Sequence, residues 1–211
     1  MTLMLRDLRA RIARIEGFSP ERKTQACPTG WKAVDTILPG GGLLEGALHE
    51  IHSPDPADGA AMGFAARLLG RLQARAPARA VLWASCRADL FAPGLHAAGT
   101  DPQRLLIARC RDSEELLFAY EEGLKSKALA AVFGEIGELD FSLSRRLQLA
   151  AADTGATLVL LRPARFGAEP SAAITRWRAE SCPGGWALTL FRCRNGRPGH
   201  WRMSEKLGEC R

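Results

Sequence analysis

Short apolar runs alternate with amphipathic stretches through most of the chain, and this alternation predicts the fold. The apolar runs have the length and composition of buried strands, whereas the stretches between them carry apolar residues at helical spacing. The predicted strands are 47–51, 78–86, 128–136 and 156–163. The predicted helices are 60–75, 113–126 and 144–155. Because strands that alternate with helices form parallel sheets, we predict an α/β fold with a mainly parallel sheet flanked by helices.

The two ends of the chain follow different patterns. Near the C-terminus, alternating residues on both sides of "RNGRPG" predict a β-hairpin. Near the N-terminus, four apolar residues spaced three and four apart predict a basic amphipathic helix whose stripe packs on its own domain or docks on a protein. These protein-binding candidates are Leu5, Leu8, Ile12 and Ile15. We therefore divide the chain into the N-terminal helix and linker (1–27), a core domain (28–200) and a tail (201–211).

Composition narrows the class of protein. The 211 residues hold no apolar run long enough to span a membrane, and charges from Arg6 onward argue against a secretory signal, so we expect a cytoplasmic protein without membrane contact. The six cysteines and four histidines show no metal-binding spacing, and we expect no metal. The net charge of +6 comes entirely from residues 162–211, which favours either an anionic partner or a solvated basic face.

The segment "TGWKAVDTILPGGGLLEGALHEIHSPDPADGAAM" resembles the opening of the RecA core, in which a strand ending in Glu-Ile leads into a phosphate-binding loop. The resemblance continues through "AVLWASCRADLFAP" and covers about residues 28–195. The basic N-terminal segment and the ending "RCRNGRPGHW" resemble the ImuA family. That resemblance implies a RecA-like protein that works beside ImuB and an error-prone C-family polymerase in SOS-induced translesion synthesis.

The loop after the first predicted strand has the layout of a phosphate-binding loop but lacks its chemistry. A working loop follows G-x-x-x-x-G-K-S/T, in which the lysine binds phosphate and the hydroxyl binds Mg²⁺. With Gly59 as the second glycine, Ala60 stands at the lysine position and Ala61 at the hydroxyl position. The first glycine is replaced by Ser53 or Pro54. We therefore expect no nucleotide cofactor.

Further residues argue against ATP hydrolysis. Asp55 and Asp58 would lie beside a triphosphate, and a carboxylate about 4 Å from a phosphate oxygen costs about 4 kcal/mol at an effective dielectric of about 20. Gly134 stands where an aspartate would hold Mg²⁺, and strand alternation is expected to turn Glu135 to the opposite face. No carboxylate accompanies Cys86, at the strand end that should supply the catalytic acid. We expect a degenerate site without ATPase activity.

In the RecA framework, loops after two later strands face DNA. The first corresponds to 134–144, which is acidic and unsuited to phosphate. The second corresponds to 162–185, where arginines are interleaved with aromatic residues, a composition that binds single strands. The DNA-binding candidates are Arg162, Arg165, Phe166, Arg176 and Arg178. The alternative is that Trp177 belongs to the core and the arginines are solvated or paired.

Three functions remain open at this point. The first is a non-catalytic adaptor that binds an ImuB-type Y-family polymerase-like protein and an error-prone C-family polymerase, with RecA, single-stranded DNA and self-association as further contacts to test. The second is a SulA-like inhibitor of the cell-division GTPase, a family with a trimmed RecA-like fold. The third is an atypical DNA-dependent ATPase with an unorthodox loop.

Overall fold

The computed structural model describes residues 25–55 and 58–204, in which strands and helices alternate as predicted. The strands are β1 (Ala26–Cys27), β2 (Leu43–Leu44), β3 (Leu48–Ser53), β4 (Ala80–Ser85), β5 (Leu105–Arg109), β6 (Leu129–Glu135), β7 (Thr157–Pro163), β8 (Thr175–Cys182), β9 (Gly185–Cys193) and β10 (Gly199–Ser204). The helices are α1 (Lys32–Asp35), α2 (Ala60–Arg75), α3 (Ala92–Ala97), α4 (Ser113–Lys125) and α5 (Phe141–Thr154). The predicted α/β class is confirmed.

Eight of these strands form one sheet in the order β10-β9-β8-β3-β7-β6-β4-β5. The six strands from β8 to β5 are parallel to one another. β9 pairs antiparallel with β8 on one side and with β10 on the other, and β9 and β10 form the predicted terminal hairpin. The carboxyl ends of the parallel strands meet at one edge, which is where ligands bind in open α/β sheets. The loop that follows β3 lies at this edge.

The helices cover the sheet from both sides. On one face, α2 packs against β3, β4, β6, β7 and β8, and Trp83 and Phe133 beneath it have ring centroids 4.0 Å apart. On the other face, α4 and α5 pack against each other and against the parallel strands. Two apolar cores therefore lie on opposite sides of one sheet, as the amphipathic spacing of the three longer helices requires.

The prediction of a loop over 162–185 is wrong in its second half. This segment contains β8, and the side chain of Trp177 is buried in the core beneath α2. Charged residues on both sides of Trp177 hide the strand in the sequence. One of them, Arg176, is itself buried, because a carboxylate on the neighbouring strand neutralises it. The pattern also gave no sign of β5 or α3.

The predicted N-terminal helix, with Leu5, Leu8, Ile12 and Ile15, lies outside the described residues, as does most of the predicted tail. The described chain begins just before β1 and ends with β10. No helix in the part of the chain that the structure describes is long and apolar enough to cross a membrane.

Candidate functional site

A cavity of about 730 Å³ opens at the carboxyl edge of the parallel strands. Ser53, Asp58 and Gly59 of the loop, the first turns of α2 and the ends of β4, β6 and β7 line it. Its apolar wall includes Met62, Trp83 and Leu95, while Ser85 and Glu135 contribute polar groups. This is the position at which a RecA-like core would hold its nucleotide.

Asp58 determines how the loop enters α2. Its Oδ1 accepts a hydrogen bond from the Ala60 N–H at 3.0 Å, and its Oδ2 accepts one from the Ser181 N–H at 2.6 Å. The Ser181 hydroxyl donates to the same carboxylate. Partial burial raises the pKa of Asp58, but these three hydrogen bonds outweigh it and the net pKa lies below the usual value. The carboxylate therefore remains charged and ties the loop to β8.

The residues of the loop do not fit a nucleoside triphosphate. The start of a helix attracts anions because its first N–H groups are free, and here the carboxylate of Asp58 accepts one of them. Ala60 and Ala61 are buried methyl groups at the positions of the phosphate-binding lysine and the magnesium-binding hydroxyl. The Ser53 hydroxyl donates to the Asp55 carbonyl at 2.6 Å and so closes the loop on itself.

The interpretation that Glu135 turns away from the loop is wrong. Glu135 lines the cavity, because it shares the α2 face of β6 with Phe133. Gly134 faces α4 instead, where a Cβ atom would lie 2.1 Å from the hydroxyl oxygen of Tyr120. That hydroxyl donates to the Glu135 carbonyl at 3.0 Å. An aromatic ring therefore fills the space beside Gly134.

Glu135 has two polar neighbours in the cavity. The Ser85 hydroxyl donates to its Oε1 at 3.4 Å, and the Arg87 guanidinium lies 3.7 Å from its Oε2. Burial raises the pKa of Glu135 above its usual value, although Arg87 and Ser85 act in the opposite direction. Glu135 thus lines the cavity together with the carboxylates of Asp58 and Asp89, and no lysine is found among the described residues that line it.

A buried ionic cluster lies within the sheet around Glu50, whose side chain is fully enclosed. Its carboxylate accepts hydrogen bonds from Arg176 Nε at 2.8 Å, Arg162 Nη1 at 3.2 Å, Ser171 Oγ at 2.6 Å and His52 Nε2 at 3.0 Å. Burial alone would raise the pKa of Glu50, but these partners hold it at about 2. The sequence patterns did not predict this cluster. The signal was a Glu inside the apolar run "LHEIH", because a carboxylate in a buried strand requires a positively charged partner.

Two buried histidines adjoin the cluster. His49 donates from Nε2 to the Leu44 carbonyl at 2.8 Å and accepts from the Thr175 hydroxyl at 2.7 Å, and burial lowers its pKa to about 4. His52 Nδ1 has no hydrogen-bond partner in the described residues. Among residues 25–55 and 58–204, no group of three or more side chains is arranged to hold a metal ion.

The structure separates the DNA-binding candidates. Arg162 and Arg176 are 0% and 3% exposed and paired with Glu50, so the prediction that they contact DNA is corrected: a buried, neutralised guanidinium cannot reach a phosphate. Arg165 is exposed and lies over the ring of Phe166, 4.6 Å from its centroid. Arg178 is exposed on β8.

Comparison with known proteins gives two curated relatives, both named Protein ImuA, from Caulobacter vibrioides strains NA1000 / CB15N and ATCC 19089 / CIP 103742 / CB 15. Each is 37% identical over 196 residues, an alignment that covers 82% of this chain and 80% of the relative. No family model matches the chain.

Proposed function

Because this chain belongs to the ImuA family, we propose that it acts as a non-catalytic accessory protein in damage-induced, error-prone DNA synthesis. In this role it binds an ImuB-type polymerase-like protein and brings it together with an error-prone C-family polymerase. It works in the cytoplasm, where the template is. RecA is a further candidate partner, and the N-terminal apolar stripe is the candidate surface for it or for self-association.

One observation carries the non-catalytic part of the proposal. The Asp58 carboxylate accepts a hydrogen bond at the start of α2, the position at which a phosphate-binding loop receives its anion. A triphosphate would have to displace this carboxylate, which also bonds to Ser181, and would meet alanine methyl groups at the lysine and hydroxyl positions of the loop. The fold therefore supports a scaffold in which a side chain of the loop, and not a bound phosphate, occupies the start of α2.

Two measurements on the purified protein test this proposal. We expect no ATP turnover that depends on magnesium, with or without single-stranded DNA. We also expect an affinity-tagged chain to retain a purified ImuB-type protein at micromolar concentration. Failure to retain that protein would refute the adaptor role, and EDTA-sensitive turnover would refute the non-catalytic role.

The position of Glu135 favours an atypical ATPase as the second candidate function. Its carboxylate lines the cavity beside the loop, and burial raises its pKa, as is usual for a general base that would orient an attacking water. If this candidate is correct, the wild-type chain hydrolyses ATP and Glu135→Gln abolishes the activity. Asp89→Asn is the matched control, since Asp89 also lines the cavity but already pairs with Arg87.

A further inference from the structure

The hairpin side of the sheet has one face that no described helix covers. On β8, β9 and β10, every second residue is buried beneath α2: the set comprises Trp177, Ala179, Leu188, Leu190, Trp201 and Met203. Since successive side chains on a strand point to opposite faces, the residues between them form the other face. We call this surface the open sheet face; it comprises Arg178, Glu180, Thr189, His200 and Arg202. Arg192 joins it because the register between β8 and β9 shifts there, so that Arg192 pairs with Arg176, which faces away from α2.

Strand pairing brings these side chains into rows. Arg178 pairs with Thr189, which pairs in turn with His200, and the Thr189 hydroxyl lies 2.8 Å from His200 Nδ1. In the next row, Ala187 separates Glu180 from Arg202. Because neighbouring strands lie about 4.8 Å apart, each row is about 10 Å wide.

Arg192 extends the surface towards the other end of the hairpin. It pairs with Arg176, next to an irregularity in the register between β8 and β9. Arg192 is exposed, whereas Arg176 is enclosed by the segment that follows β7 and hydrogen bonds to its carbonyls. The exposed cations thus lie in three successive rows, with Arg192 on β9, Arg178 on β8 and Arg202 on β10.

The charge of the open sheet face is largely uncompensated. Arg192 and Arg202 are exposed and form no ion pair within the part of the chain that the structure describes. Arg178 is half exposed and meets Glu180 only at 4.0 Å, the limit of an ion pair. By contrast, Arg111 and Arg146 on the helical side each bind a glutamate closely.

We propose that the open sheet face binds single-stranded nucleic acid. The three arginines contact successive phosphates, and the exposed His200 ring and Thr189 hydroxyl face the bases between them. A flat surface about three strands wide suits one strand, whereas a duplex is read by elements that enter its grooves. The inference rests on the proposed function in one respect: an accessory factor of synthesis on damaged DNA meets a single-stranded template.

Fluorescence anisotropy with a labelled 25-residue oligothymidine tests the proposal on the full chain, at about 50 and 200 mM salt. We expect wild-type binding that weakens with salt, with a logarithmic slope of about −2 for three phosphate contacts. The double variant Arg178→Gln/Arg202→Gln should bind about tenfold more weakly and reduce that slope to about −0.7. The pair Arg192→Gln/Arg202→Gln provides a second variant with the same expectation.

The matched control is Lys127→Glu, which changes the net charge by the same two units at an exposed position after α4. It should bind within about twofold of wild type, because a local surface and not the net charge binds the strand. The proposal is overturned if the wild-type chain does not bind at 50 mM salt, if both double variants bind as wild type, or if the control loses as much affinity.

Retention of the ImuB-type protein separates this inference from the proposed function. We expect both double variants to retain that partner as wild type does. Loss of the partner with unchanged DNA affinity would make the open sheet face a protein interface and overturn the proposal. Wild-type DNA binding without any retention of the partner would uphold the open sheet face and refute the adaptor role.

Discussion

At the scale of single residues, the most informative group is Glu50. A carboxylate buried in a central strand is costly unless cations and hydrogen bonds compensate it, and Glu50 has both. Its partners Arg162 and Arg176 come from the strands on either side of β3, so the cluster ties three strands together. The sequence predicts that these two arginines contact DNA, but in the fold both form ion pairs inside the sheet.

Replacing Glu50 with Gln should lower the free energy of unfolding by about 3 kcal/mol, because it leaves two buried guanidiniums without a counter-charge. Urea denaturation followed by circular dichroism measures the effect. The control is Glu122→Gln, which removes an exposed ion pair to Lys125 and should cost less than about 0.5 kcal/mol. Equal losses in the two variants would contradict the structural role of the cluster.

At the scale of elements, the loop, α2 and β8 act as one unit. Asp58 accepts a hydrogen bond in the first turn of α2 and another from Ser181 near the end of β8. The loop is therefore held by β8, a strand that the sequence patterns did not predict. On the opposite face of the sheet, Tyr120 of α4 fills the space beside Gly134 of β6. Each of these side chains therefore contacts a neighbouring element of the fold.

Restoring the missing lysine should not restore activity. We expect Ala60→Lys to show no magnesium-dependent ATP turnover, because Ala61 still lacks a hydroxyl and Asp58 still occupies the start of α2. A phosphate-release assay with and without EDTA measures this. Turnover in the single variant above that of the wild-type chain would show that the loop retains a nucleotide-binding geometry.

Two glycines near the cavity should respond oppositely to a methyl group. Gly134→Ala should destabilise the protein by about 2 kcal/mol or more, since the new Cβ would overlap the ring of Tyr120. Gly59→Ala is the matched change: it has helical backbone angles and no atom within 4 Å of its Cβ, so it should be neutral or slightly stabilising. Thermal unfolding of both variants checks the contrast, and similar melting temperatures would contradict it.

At the scale of the whole molecule, the fold is a parallel sheet extended by an antiparallel hairpin. The parallel part is enclosed by helices on both faces, whereas the hairpin leaves one basic face open. This division puts the cavity at the carboxyl edge of the parallel strands and the open sheet face in different parts of the sheet. The stability of the fold should depend on pH through two buried groups, His49 and Glu50.

Acid should destabilise the fold in two steps. The pKa of His49 is lowered to about 4, so below about pH 6.5 the unfolded chain binds a proton that the folded chain does not, and stability falls. The loss should reach about 2 kcal/mol at pH 5. The pKa of Glu50 is also lowered, to about 2, so its contribution is complete above about pH 4.5 and is lost only below that.

Urea midpoints at pH 7 and pH 5 measure the first step. His49→Gln should flatten the change between these two pH values, because glutamine keeps a hydrogen-bonding side chain but cannot be protonated. His200→Gln is the control, since His200 is exposed, and it should keep the wild-type dependence. The interpretation fails if His49→Gln retains the full dependence.

The sequence by itself determined the α/β class, the mainly parallel sheet, the hairpin and the absence of a lysine and a hydroxyl at the phosphate-binding positions of the loop. These features depend on the local periodicity of apolar residues and on the identity of residues within one loop, such as Ala60 and Ala61. Both properties can be read from neighbouring positions in the sequence. The helix predicted for 60–75 is found as Ala60–Arg75 for this reason.

Only the tertiary structure decided which polar residues are inside. Arg176 and Arg178 are two positions apart on the same strand and have the same chemistry, yet one is enclosed with Glu50 and the other faces solvent. Likewise, Glu135 lines the cavity because of the register of β6 beneath α2. A charge is buried or exposed according to what the neighbouring strands and loops bring against it, and those contacts join residues more than a hundred positions apart.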